Sequence, residues 1–73
     1  MKKYAVVIEY GDNNLSAYVP DLPGCITTGK TVAEIERNIR EAIELHLEGL
    51  AEDGEPIPEP KTVVSYIELQ TVA

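Results

Sequence analysis

Three features of the sequence predict an α+β fold: an antiparallel sheet of order β-β-β-α-β with one long helix packed on one face. Residues 31–53 repeat Val32, Ile35, Ile39, Ala42, Ile43, Leu47 and Leu50 at three- and four-residue spacing, the stripe of an amphipathic helix. Short alternating runs rich in Val, Ile, Tyr and Thr stand before and after it, as strands do. Turn residues separate these runs, most densely between 53 and 60. With 73 residues, the chain is read as one domain spanning 1–73.

The first strand is expected over 3–10, with Tyr4, Val6, Ile8 and Tyr10 on one face and Ala5, Val7 and Glu9 on the other. Gly11-Asp12-Asn13-Asn14 makes a tight turn into a second strand over 15–19, giving an antiparallel hairpin. Leu15, Ala17 and Val19 share a face; Ser16 and Tyr18 take the other. Pro20 and Pro23 lack the N–H that a central ladder needs, so that strand stops there. A short third strand follows over 25–28. Thr31 and Glu34 have capping-box spacing at the helix start, and Gly54 supplies the positive φ that ends it. Pro56, Pro58 and Pro60 hold an extended strap that returns the chain to the sheet. The last strand is expected over 62–69, with Val63, Ser65, Ile67 and Leu69 alternating against Val64, Tyr66 and Glu68.

One helix covers one face of a sheet, yet both strand parities carry apolar groups. Val7, Tyr18, Val64 and Tyr66 share the parity opposite Val6, Ile8, Val63 and Ile67, and they are the candidate oligomer face. The alternative is a set of scattered surface side chains with no task. A domain this small buries only about 60% of its unfolded surface, and small domains commonly add a staple. Cys25 is the single cysteine, so an internal disulfide is excluded, and no ligand set for a structural metal or cofactor emerges. A homodimer or higher oligomer is therefore expected.

Thirteen acidic against six basic residues give a net charge of −7. That balance argues against binding nucleic acid, because phosphate contacts need clustered Lys and Arg. It favours a basic protein partner or serves solubility alone. The apolar run at 5–8 is too short for an export signal, and no stretch reaches the length of a membrane span. The expected location is the cytoplasm.

Candidate chemistry is sparse. His46, on the apolar stripe, has Ala42, Ile43, Gly49 and Leu50 as its helical neighbours and no acid or ligand among them. It reads as packing, with Gly49 admitting a close neighbour at a cost of about 1 kcal/mol of helix propensity. Cys25 lacks a base placed to activate it. Glu9, Asp12 and Asp21 lie near strand ends without convergence, and two-metal hydrolysis needs several carboxylates together. The chain is expected not to be an enzyme.

The polar face of the helix is more informative. Glu44, Glu48 and Glu52 stack at four-residue intervals without a cation between them, which costs about 0.2–0.5 kcal/mol per pair. They also stand toward the negative end of the helix dipole. This ridge is the candidate partner-binding site for a basic protein; the alternative is a solvated face.

The run Tyr18-Val19-Pro20-Asp21-Leu22-Pro23-Gly24-Cys25 resembles the Y-x-P-D-L-P-G-C element of the HicB antitoxin family. Residues 38–47, then Glu48-Gly49-Leu50 and Asp53-Gly54-Glu55-Pro56-Ile57-Pro58, resemble its helix and proline strap. The resemblance covers nearly the whole chain. It implies a partial RNase H-like fold without the RNase H catalytic carboxylates, and homo-oligomers. It also implies binding of HicA, a small basic ribonuclease toxin. Family antitoxins often carry a C-terminal DNA-binding domain; none follows the last strand in these 73 residues, so no direct DNA binding is expected. The second reading is a solitary oligomeric HicB-like domain that binds another protein or a ligand.

Overall fold

The computed structural model describes residues 1–72. Three strands, β1 (Val7–Tyr10), β2 (Leu15–Tyr18) and β3 (Ile26–Gly29), precede one helix, α1 (Val32–Glu52). The sheet is antiparallel with order β1-β2-β3. Its register sets Val7 opposite Tyr18 and Tyr18 opposite Ile26; one row along, Ile8, Ala17 and Thr27 align. Opposed residues share a face, so Ile8 and Ala17 point toward the helix while Val7, Tyr18 and Ile26 point away.

The expected α+β architecture is present, with the helix on one face. Thr31 caps the helix, its Oγ1 accepting the Glu34 N–H at 3.1 Å. At the other end Gly54, with φ of 70°, donates to the Ala51 carbonyl, and Glu55 donates to that of Leu50. This pairing is a Schellman motif, which satisfies the last carbonyls. The helix packs chiefly on β3 and less on β2. Gly29 allows that approach: a Cβ there would stand 3.1 Å from the Ile35 backbone. Asn38 ties the two elements by donating to the Thr28 carbonyl at 2.9 Å. Between the layers lie Leu15, Ala17, Val19, Leu22, Cys25, Ile35 and Ile39, all buried.

The expected strand over 62–69 does not form in the single chain. No ladder joins it to the sheet among the described residues. Val63, Tyr66, Ile67 and Leu69 are all more than three-quarters exposed. The segment is an arm. The radius of gyration is 14.6 Å, against about 11 Å for a compact chain of this length, and the long axis reaches 53 Å. The first strand is also shorter than expected: residues 3–6 lie outside the ladder, which begins at Val7. They face the strap instead, where the Tyr4 hydroxyl donates to the Pro58 carbonyl and Lys2 pairs with Glu59, each at 2.6 Å.

Candidate functional site

The loop after β2 is built from two consecutive turns, each with proline at its second position. The Leu22 N–H donates to the Val19 carbonyl at 3.0 Å across Pro20-Asp21. The Cys25 N–H donates to the Leu22 carbonyl at 3.0 Å across Pro23-Gly24, where Gly24 takes φ of 85°. Pro followed by a positive-φ Gly is the signature of a type II turn. The Val19 N–H closes the loop on the Cys25 carbonyl at 3.1 Å. Leu22 thereby points inward and is fully buried. Asp21 points outward, and its carboxylate accepts the N–H groups of Lys61 and Thr62 and the Thr62 hydroxyl at 2.9–3.0 Å. Hydrogen bonds from the Thr62 and Lys61 backbone hold the Asp21 carboxyl below the usual carboxylate range. The loop is thus a clasp fixing where the arm leaves the domain. In the sequence the two prolines mark only where β2 stops; the role of Asp21 appears in the structure alone.

Cys25 is buried behind this loop, and desolvation pushes its thiol up from the ordinary value. A thiol so placed is a core side chain rather than a nucleophile. His46 is half-buried on the flank of α1. Gly49 differs from expectation, because a Cβ there would meet nothing within 4 Å. No neighbour within the chain requires glycine at that point. Glu9 and Asp12 are exposed, and no group of three metal-ligating side chains occurs among the described residues.

Two surfaces stand out. On α1, Glu44, Glu48 and Glu52 are all exposed, as is Glu41. Among them Leu45 is 68% exposed, an apolar side chain with carboxylates one turn before and after it and the bare Gly49 one turn on. Sequence reading singled out the ridge but not Leu45, whose position off the apolar stripe was the available signal. On the outer face of the sheet, Val7 and Tyr18 are paired neighbours, and Ile26 at 69% exposure continues the row. Val64 and Tyr66 stand apart from them on the arm. The single chain therefore divides the four oligomer-face candidates into two pairs.

The comparisons match this architecture. A family model described as the HicB-like antitoxin of bacterial toxin-antitoxin system aligns with residues 4–71. The chain belongs to the HicB-like antitoxin family. A solved HicB-containing structure, described as the HicA3 and HicB3 toxin-antitoxin complex, superposes with a TM-score of 0.70 at 37% identity. That alignment covers 81% of this chain and 70% of the solved one. Among curated relatives, an uncharacterised 14.9 kDa protein of Haemophilus phage HP1 is 39% identical over 88% of this chain and 48% of its own length. A UPF0150 protein of Helicobacter pylori is 51% identical over 64% of this chain and 65% of its own. One from Thermoplasma acidophilum is 44% identical over 77% and 83%. The chain thus spans about half the phage relative and just under two-thirds of the Helicobacter one. No helix among the described residues is long and apolar enough to cross a membrane.

Proposed function

We propose that this HicB-like chain is a non-enzymatic antitoxin module that binds and neutralises a small basic HicA-type ribonuclease toxin, docking it on the outward face of α1. One observation carries the docking site: Leu45 is exposed beside the ridge of Glu41, Glu44, Glu48 and Glu52, along its edge. Buried apolar anchors ringed by polar groups dominate binding energies, and acidic surroundings speed and orient the approach of a basic protein. The fold draws nothing from this face. Three stacked carboxylates near the negative end of a helix with no basic residue in its last turn cost local stability. Gly49 adds a flat patch of backbone that the domain itself does not fill.

Family membership and the likeness to a HicB solved with its toxin support the choice of partner. The test is co-expression with a small basic HicA-type toxin, sought first in the gene next to the one for this chain. Co-purification and rescue of that protein's growth arrest are expected. Failure to form a complex at micromolar concentration would leave the alternative of a solitary HicB-like domain with another binding role.

A further inference from the structure

Four of the five glycines have a reason within the chain, and one has none. Gly24 and Gly54 take positive φ, and a Cβ at Gly11 or Gly29 would press on backbone atoms at 3.0–3.1 Å. Gly49 lies inside α1 without positive φ, and a Cβ there would meet nothing within 4 Å. Glycine inside a helix is less stable than alanine, so the domain gives up stability at Gly49 and packs nothing there. The bare backbone has two kinds of neighbour. One turn back, at three and four residues, stand the half-buried His46 and the exposed Leu45. One turn on, at the same spacings, stand Glu52 and Asp53, both exposed. Helical side chains lean toward the N-terminus, so Glu52 leans back toward Gly49. The last turn of α1 holds no basic residue, and neither carboxylate enters an ion pair among the described residues.

We propose that Gly49 is the seat of one arginine side chain of the basic toxin, an inference that rests on the toxin reading above. The aliphatic stem lies on the bare backbone beside Leu45 and His46, and the guanidinium reaches Glu52 and Asp53 at the end of the helix. Each part of the seat matches a part of that side chain. Arginine carries an apolar stem and a charged head, and here apolar groups and carboxylates stand one turn to either side of the same backbone. Its planar fork fits carboxylates better than an ammonium does. A cation placed there also meets the negative end of the helix dipole, which no basic residue of the last turn answers. A Cβ at position 49 would take the space of the stem, which accounts for a glycine where alanine would fold better. The seat also sets where along α1 the toxin docks, which a ridge of like charges alone does not.

Calorimetric titration of a HicA-type toxin into the wild type, Gly49→Ala, Gly49→Leu and the double variant Glu52→Gln with Asp53→Asn tests the seat. Gly49→Leu should lose about tenfold or more in affinity, the scale of a truncated hot spot. Gly49→Ala should lose less, with the far-ultraviolet dichroism of both variants kept. Neutralising Glu52 and Asp53 should weaken the wild type but add little to Gly49→Leu, because the displaced arginine no longer reaches them. Replacing the toxin's arginines by alanine one at a time should reveal one whose loss is felt by the wild type and not by Gly49→Leu. Wild-type affinity in Gly49→Leu, neutralisation fully additive with it, or the lack of such an arginine would each overturn the seat and leave the toxin reading standing. A change in the mass of Gly49→Leu alone by light scattering would also overturn it, since the glycine would then serve a self-contact. A wild type that binds no HicA-type toxin at micromolar concentration overturns the toxin reading and the seat together.

Discussion

Asp21 and Thr62, forty-one positions apart, are joined twice: the Asp21 carboxylate accepts both the Thr62 N–H at 3.0 Å and its hydroxyl at 2.9 Å. The contact turns a loop at the end of β2 into the point from which the C-terminal arm departs. Because these donors favour the ionised form, the folded pKa of Asp21 lies below its unfolded value. Its contribution is therefore fully present above the unfolded value of about 3.9 and is lost as pH falls through the lower folded one. A titration followed by nuclear magnetic resonance should show the Lys61 and Thr62 amides shifting together below about pH 4. Asp21→Asn should remove that transition and speed hydrogen exchange at both amides, leaving the core amides of β2 protected.

Gly29→Ala should destabilise the domain. The added methyl would stand 3.1 Å from the Ile35 Cα and N, backbone atoms that move only if the whole helix shifts. Overpacking of this kind costs about 1–3 kcal/mol, read as a fall in the denaturant midpoint at unchanged slope.

Gly49→Ala should do the opposite. The site is open to 4 Å, and alanine gains about 1 kcal/mol over glycine inside a helix. For a domain of this size such a gain raises Tm by about 4–8 °C. If Gly49 serves the toxin contact, the stabilised variant should bind its toxin less tightly.

Leu22→Ala should cost about 2–5 kcal/mol, because the fully buried side chain is the one that the two proline turns press into the core. Thermal unfolding of this variant measures the loss directly.

Much of the fold was legible because its signals are local. Thr31, Glu34 and Gly54 declare the helix ends within a few residues of chain, and the caps form where those residues stand. The alternation of Leu15, Ala17 and Val19 likewise marks the face that becomes buried. Residues 62–69 show the limit. Alternation states that a segment is fit to be a strand, but pairing needs an edge, and which edge is a property of tertiary or quaternary geometry. Asp21 was illegible for a related reason, since its partners lie forty positions on. Gly49 misled because glycine in a helix signals either close packing or an open surface, and only coordinates separate the two. Leu45 was hidden by the helical stripe itself, which drew attention to the apolar residues that agree in phase.

A basic toxin docked on α1 would meet the carboxylates beside Leu45. Calorimetric titration of a HicA-type toxin into wild type and into the triple variant Glu44→Lys, Glu48→Lys and Glu52→Lys tests that docking most directly. The triple variant should lose at least about tenfold in affinity, or 1.4 kcal/mol, with its helix content intact. Unchanged affinity would contradict it.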